Sequence, residues 1–235
     1  MSAEVIAHRG ASAVYGDNTI AAFAAAGAQG ATWVELDIRR FGADRLIVSH
    51  DPYAADGRRL IDLTSADRSP ALVEPVEAFE ACGGLGIHVE IKNLPSEPGF
   101  DPDLTIVTDV LALIGERIKG GDPRPWSVSS FHAPTVRAAR DLADRDALAV
   151  STALLARSIA DPRSIVAAAV TAGHGAIHPS VSAVSDELIA AAHGAGLGVN
   201  VWTVNDPVEM ARLVGQGVDG LFTDYPDRAH RVISS

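Results

Sequence analysis

The chain has 235 residues, of which 47% are hydrophobic, and it carries a formal net charge of −11. This length allows a full hydrophobic core, and the apolar content is too high for an intrinsically disordered chain. The negative charge argues against non-specific binding to nucleic acid or to an anionic membrane, although a metal ion and a few cations can still attract a phosphate locally.

Short β-rich runs alternate with helical stretches along the whole chain. The first strand is predicted at residues 5–7, and the first helix at residues 19–29, with Asn18 or Thr19 as its N-cap and Gly30 as its end. The later strands are predicted at residues 33–38, 87–91, 127–131, 148–154, 176–178, 198–204 and 220–223. The later helices are predicted at residues 74–82, 104–118, 134–142, 162–172, 186–193 and 207–215, before a short C-terminal helix. A further short extended run covers residues 46–49.

The repeated strand–helix unit predicts an α/β fold with a parallel sheet. Eight units in a chain of this length predict a single (β/α)8 TIM-type barrel. We expect one domain over residues 1–235, with a short insertion after the second strand at about residues 51–75. The alternative is an open doubly wound sheet. Its dinucleotide-binding form would show G-x-G-x-x-G after the first strand, which residues 9–13 do not match.

The sequence also predicts the cellular location of the protein. No apolar run approaches the roughly 18 residues that span a bilayer. The N-terminus lacks the basic region of a secretory signal, and the single cysteine, Cys82, cannot form an internal disulfide. We therefore expect a cytoplasmic protein with no stable membrane association and no nucleic-acid partner. The oligomeric state stays open.

Four charged clusters end short apolar runs within the first 92 residues. They are His8-Arg9, Glu35-Leu36-Asp37, Ser49-His50-Asp51 and Glu90-Ile91-Lys92. Charge is costly at the end of a buried strand unless it is paired or binds a metal. Catalytic groups of barrel enzymes lie at the C-terminal ends of the strands. The clusters therefore predict a metal-dependent acid–base site at one end of the barrel.

Three carboxylates are the predicted metal ligands. Residues two apart on a strand face the same way, so Glu35 and Asp37 point to one side and Glu90 joins them from a neighbouring strand. Three converging carboxylates repel one another, and a hard divalent ion such as Mg²⁺ or Ca²⁺ relieves that repulsion. The alternative is that they form salt bridges with nearby cations. The candidate cations are Arg9, Arg39, Arg40 and Lys92.

His8 and His50 follow strand-like runs on either side of the acidic strand, and imidazole titrates near neutral pH. One is predicted to act as a general base and the other as a general acid. The alternative is that each is a structural side chain or a metal ligand. Among the other histidines, His88 is expected to pack in the core, and His178 is kept as a peripheral site candidate.

The remaining candidates concern the substrate. Arg9 and Lys92 lie beside the acids and suit an anionic phosphate. Trp202 ends the seventh strand, where it can wall a pocket or pack against a loop. Asp51 and Asp224 are predicted to fix turns. A metal, two cations and two histidines together describe phosphoryl chemistry on a small-molecule phosphodiester.

These residues resemble the glycerophosphodiester phosphodiesterase family, whose members are phospholipase C-like TIM barrels. The matching segments, in the family's order, are His8-Arg9-Gly10, Asn18-Thr19, Glu35-x-Asp37, His50-Asp51, Glu90-x-Lys92, Ser130-Phe131, Trp202-Thr203-Val204-Asn205 and the run from Gly217 to Pro226. Each segment alone is weakly diagnostic, whereas the ordered set, which covers nearly the whole chain, is highly specific.

The resemblance implies hydrolysis of a glycerophosphodiester to sn-glycerol 3-phosphate and an alcohol. It implies a divalent metal on the three carboxylates, the two histidines as the acid–base pair, and Arg9 and Lys92 near the phosphate. In related barrels a substrate hydroxyl attacks the phosphorus first and gives a cyclic phosphate.

The chain departs from the family pattern at two points. Asp17 stands where the family usually has Glu, so its contact is expected to be looser or to pass through water. The insertion after His50-Asp51 is short, which leaves the substrate open. The alternatives are a phosphodiesterase acting on lysophospholipid or a cyclic phosphate, and a non-catalytic barrel that binds a phosphorylated ligand.

Overall fold

The computed structural model describes residues 3–67, 69 and 72–234. The strands are β1 (Glu4–Ala7), β2 (Trp33–Phe41), β3 (Arg45–Val48), β4 (Gly86–Ile91), β5 (Trp126–Ser130), β6 (Val150–Ala156), β7 (Ala176–Pro179), β8 (Gly198–Val201) and β9 (Gly220–Thr223). The helices are α1 (Ser12–Tyr15), α2 (Ile20–Ala26), α3 (Pro75–Ala81), α4 (Thr105–Lys119), α5 (Ala133–Arg145), α6 (Pro162–Thr171), α7 (Asp186–Gly194), α8 (Pro207–Gln216) and α9 (Pro226–Ile233).

Eight parallel strands close into a barrel. The sheet order is β1-β9-β8-β7-β6-β5-β4-β2-β3, and β1 also pairs with β2, which completes the ring. The strand β3 lies outside the ring and pairs antiparallel with β2. The structure thus confirms the predicted (β/α)8 barrel and excludes the open sheet, because β1 has a partner on each side.

Local sequence explains how several strands lead into their helices. The side chains of Asp161, Ser185 and Asp206 accept backbone N–H groups at the starts of α6, α7 and α8. Pro162 and Pro207 follow two of these caps, at a position where a helix needs no backbone N–H donor. These signals make the helix starts readable from sequence.

Some predicted boundaries are wrong by a few residues. The strand predicted at residues 148–154 is found at Val150–Ala156. Leu148 instead belongs to the turn after α5, where Ala147 has a left-handed backbone and the Leu148 N–H bonds back to Ala143. The helix predicted at residues 19–29 ends as a 3-10 turn at Gly27–Gln29.

The insertion folds against the outer strands rather than forming a long free loop. It contains two short 3-10 helices, Leu60–Asp62 and Ser65–Asp67. Phe41, Ile47, Leu60 and Leu63 form a small hydrophobic cluster beneath it. The predicted range of about 51–75 includes residues 68, 70 and 71, which lie outside the described residues.

The barrel interior contains two histidines that the site does not use. The His88 ring lies 4.7 Å from the ring of Trp33 and 5.2 Å from that of His178, between centroids. His178 lies 5.0 Å from the ring of Phe222. Burial lowers the pKa of His88 to about 3, and burial together with His88 lowers the pKa of His178 well below its usual value. His88 thus packs in the core as predicted, and His178 lies there with it.

The main core lies between the barrel and the surrounding helices, and most of its residues are Val, Leu, Ile and Ala. Within the described ranges, every helix is too short or too polar to traverse a lipid bilayer.

Candidate active site

The predicted site residues meet at the C-terminal mouth of the barrel. A cavity of about 590 Å³, partly open to solvent, lies there. Its walls include His8, Arg9, Glu35, His50, Glu90, Lys92 and Trp202. Asp37, the remaining predicted ligand, lies beside the cavity against Arg9 and Lys92.

A hairpin brings His50 to the site. The strand β2 continues beyond Asp37 to Phe41, and β3 then returns along it in the opposite direction. The Ser49 N–H donates to the backbone carbonyl of Asp37 at 3.0 Å, so His50 lies next to the acidic strand. The sequence shows two strand-like runs here, and the antiparallel return explains why the second ends at the same mouth as the first.

Three carboxylates converge and are buried. Glu35, Asp37 and Glu90 each offer an oxygen that lies within 4.8 Å of the other two. Oxygens on opposite sides of Mg²⁺ are about 4.2 Å apart, and those around Ca²⁺ about 5 Å apart. The bound of 4.8 Å is close to these separations, so the three oxygens lie where a single divalent ion can contact them all.

Two cations neutralise part of this charge. Lys92 Nζ lies 3.1 Å from Asp37 Oδ1 and 2.6 Å from Glu90 Oε1, and Arg9 Nε lies 3.2 Å from Asp37 Oδ2. Burial alone would raise the pKa of Asp37, but Lys92 and Arg9 outweigh it and hold that pKa at about 2. The salt-bridge alternative thus holds for Arg9 and Lys92. It fails for Arg39 and Arg40, which pair with Glu97 and Asp109 instead.

One carboxylate oxygen of Glu35 lacks a hydrogen-bond partner among the described residues. Its Oε2 accepts the Arg9 backbone N–H at 2.9 Å, while Oε1 is buried with no hydrogen-bond partner in the described part of the chain. Burial and the charge of Asp37 raise the pKa of Glu35 to about 8. A buried carboxylate oxygen without a partner, next to two other carboxylates, fits a divalent cation bound to all three.

Asn18 orients the second carboxylate. Its side-chain N–H donates to Asp37 Oδ2 at 2.9 Å, and its backbone is left-handed, with φ of 57°. Asparagine tolerates this conformation better than most residues. Of the two residues predicted as helix cap, Asn18 and Thr19, the cap is Thr19, whose hydroxyl accepts the N–H of Ala22.

His8 has a carboxylate partner that closes the barrel. Its Nδ1 donates to Asp224 Oδ1 at 2.7 Å, across 216 residues of sequence. Asp224 also accepts from Asn205 Nδ2 at 2.6 Å and from Ser12 Oγ at 3.2 Å. Burial alone would lower the pKa of His8, but Asp224 and Glu35 outweigh it and raise that pKa. Asp224 therefore does more than fix a turn, the role predicted for it.

His50 has a weaker partner. Its Nδ1 donates to Asp51 Oδ1 at 2.7 Å, but the Asp51 side chain is 76% exposed, against 29% for Asp224. Burial and the charge of Lys92 lower the pKa of His50. The two imidazoles thus differ: His8 favours its protonated form and His50 its neutral form.

Arg9 is held by Asp17, the residue that departs from the family pattern. Arg9 Nη1 donates to Asp17 Oδ2 at 2.6 Å. The expected loosening or water-mediated contact is therefore wrong. The shorter side chain still reaches the guanidinium of Arg9, which lies two residues after β1 and has a left-handed backbone, φ 57°.

The far wall of the cavity is largely aromatic. The rings of Phe131 and Trp202 meet edge to face, with centroids 5.3 Å apart. Trp202 Nε1 donates to the backbone carbonyl of His178 at 2.7 Å. Trp202 thus walls the pocket and packs at the same time. His178 does not line this cavity, but it contacts two residues that do: Trp202 through this carbonyl and Phe222 through its ring.

Comparison with known proteins identifies the family. The model of the glycerophosphoryl diester phosphodiesterase family matches residues 8–69 and 63–228. The chain belongs to this family. Membership confirms the predicted resemblance and the predicted enzyme class, a phosphoric diester hydrolase.

Individual relatives share about a quarter of their residues with this chain. A glycerophosphodiester phosphodiesterase of Bacillus altitudinis is 27% identical, over 97% of each chain. One from Bacillus subtilis is 25% identical, over 97% of this chain and 85% of its own. The solved structure of an Oleispira antarctica phosphodiesterase in complex with the product sn-glycerol-3-phosphate is 24% identical, with a TM-score of 0.85, over 100% of this chain and 98% of that one. That similarity supports the fold.

Proposed function

We propose that the protein hydrolyses glycerophosphodiesters to sn-glycerol 3-phosphate and an alcohol, and that it needs Mg²⁺ or Ca²⁺. The observation that carries the proposal is the buried convergence of Glu35, Asp37 and Glu90 between two histidines. The family match and the product named in the Oleispira complex support the substrate class.

Glu35, Asp37 and Glu90 would hold the cation. When bound, a divalent cation supplies positive charge that stabilises the charge developing on the phosphate oxygens. Lys92 and Arg9 add fixed positive charge at the same place. Asn18 and Asp17 keep Asp37 and Arg9 in position through direct hydrogen bonds.

The two histidines divide the proton transfers. His50, whose neutral form is favoured, takes a proton from the attacking glycerol hydroxyl as its oxygen bonds to phosphorus, and water then opens the resulting cyclic phosphate to sn-glycerol 3-phosphate. His8, whose protonated form is stabilised by the half-buried Asp224, donates a proton from Nε2 to the departing alcohol oxygen. The Nδ1 bond to Asp224 leaves Nε2 as the nitrogen free to act.

The experiment is an assay of sn-glycerol 3-phosphate released from glycerophosphoethanolamine with Mg²⁺ or Ca²⁺. His8→Ala and His50→Ala should each lower kcat by at least about 100-fold, with unchanged circular dichroism. The control is His230→Ala, which alters an exposed histidine outside the cavity. A fully active His8→Ala enzyme would contradict the acid–base assignment.

The alternatives give different products. Preferential turnover of a lysophospholipid or a cyclic phosphate would favour a different phosphodiesterase. Stabilisation by phosphate without turnover of any diester would favour a ligand-binding barrel.

Four expectations stay predictions from the sequence. They are one domain over residues 1–235, a cytoplasmic location, a small-molecule partner and the absence of nucleic-acid binding.

A further inference from the structure

One arginine at the cavity mouth has no role in the mechanism above. Arg157 directly follows β6 and lines the cavity. In the ring of eight strands, β6 stands opposite β1, the strand that carries His8 and Arg9. Arg157 therefore lies across the mouth from His8 and Arg9, and two strands away from β4, which carries Glu90.

Arg157 differs from the other cations of the cavity in its partners. Arg9 is paired with Asp17 and Asp37, and Lys92 with Asp37 and Glu90. Among the residues that the structure describes, no carboxylate pairs with the guanidinium of Arg157. An exposed arginine at a pocket rim with no acidic partner is able to receive an anionic ligand group.

The arginine is held at the rim by an aromatic ring. Its guanidinium carbon lies 4.4 Å from the centroid of Phe131, within the range of a cation–π contact. Lys92 Nζ lies 5.8 Å from the same centroid. A phosphate beside Lys92 and a second anion beside Arg157 are thus within the span of one small diester.

The same contact disfavours a cationic head group. The Phe131–Trp202 pair would otherwise offer an aromatic surface of the kind that binds quaternary ammonium groups. Arg157 already occupies the Phe131 ring and repels a second cation there.

We propose that Arg157 is a specificity-determining residue, which selects glycerophosphodiesters whose alcohol part carries a negative group and disfavours cationic head groups. This inference rests on the proposed function and adds to it the class of substrate. The scissile phosphate belongs to the opposite side of the cavity, with the carboxylates, Arg9 and Lys92.

Glycerophosphoserine and glycerophosphoethanolamine form a matched pair, because they differ by one carboxylate. We expect kcat/KM of the unmodified enzyme to be higher for the serine diester. Arg157→Gln should lower the ratio of the two kcat/KM values about tenfold, the effect of losing one charged hydrogen bond. Arg157→Lys should restore part of the ratio. The control is Arg163→Gln, an exposed arginine on α6 that does not line the cavity.

Three results would overturn the inference. They are a preference of the unmodified enzyme for the ethanolamine or choline diester, an equal loss on both diesters in Arg157→Gln, and the same ratio change in Arg163→Gln. If no diester is hydrolysed with either metal, the proposed function fails separately. Binding then tests Arg157: glycerophosphoserine should raise Tm more than glycerophosphoethanolamine, and Arg157→Gln should remove that difference. An unchanged difference would refute the role.

Discussion

Replacing Asp224 with Asn removes the negative charge beside His8 and keeps the size of the side chain. The structure gives a contact of 2.7 Å between His8 Nδ1 and Asp224 Oδ1. Two unit charges about 4 Å apart interact by about 4 kcal/mol at an effective dielectric constant of 20. Partial exposure of both side chains screens this value, so only part of it acts on His8, and we expect the pKa of His8 to fall when the charge of Asp224 is removed.

The direction of the effect on activity follows from the proposed role. Asp224 raises the pKa of His8, so its loss lowers that pKa. A general acid works only while it is protonated, so the alkaline limb of the pH profile should move to lower pH. The acidic limb, which reflects His50 in this account, should stay in place.

The assay is kcat/KM for glycerophosphoethanolamine against pH, at saturating metal. The matched control is Asp219→Asn, which breaks another Asp–His pair, the 2.8 Å contact with His193, outside the cavity. Circular dichroism establishes that both variants are folded. An unmoved alkaline limb, or a displaced acidic limb, would refute the assignment of His8 as the acid.

Two further predictions concern buried titratable groups. Glu35→Gln should raise the free energy of unfolding of the metal-free protein at pH 7 by about 1–3 kcal/mol. The reason is that a carboxyl whose pKa is raised from 4.5 to about 8 destabilises the fold as pH rises through that window. The variant should also bind the metal more weakly in calorimetry, and a metal-free variant that is less stable than the unmodified protein would contradict the reasoning. Stability should fall as pH drops from 6.5 towards 3, because His88 is neutral in the fold and takes up a proton on unfolding. Between pH 6.5 and pH 4.5 this group accounts for at most about 2.7 kcal/mol. Urea titrations at the two pH values should show a smaller loss in His88→Phe, and an equal loss would argue against this origin.

The sequence predicts the barrel well because its signals are local. Alternating apolar runs, helix caps such as Asp206 and prolines such as Pro207 each act within a few residues. Boundaries fail where a turn has no such signal, as at Ala147 and Leu148. The convergence of Glu35, Asp37 and Glu90 is predictable because strand periodicity and parallel pairing bring them to one side.

The residues that contact the site side chains are harder to predict from sequence than the site side chains themselves. Asp224 meets His8 only because β9 pairs with β1 when the barrel closes, and nothing near Asp224 in the sequence indicates it. The one indication in the sequence is that Asp224 lies in the segment from Gly217 to Pro226, which resembles the family. Arg157 belongs to none of the recognised motifs, and its importance depends on what surrounds it, namely Phe131 and the lack of an acidic partner among the described residues.

The central claim is that the buried carboxylates hold a divalent ion on which hydrolysis depends. The most direct measurement is release of sn-glycerol 3-phosphate from glycerophosphoethanolamine by enzyme stripped with EDTA, before and after addition of Mg²⁺ or Ca²⁺. We predict no turnover by the stripped enzyme and recovery with one of the two ions, with Glu35→Gln needing a higher metal concentration. Full turnover by the stripped enzyme would contradict the account.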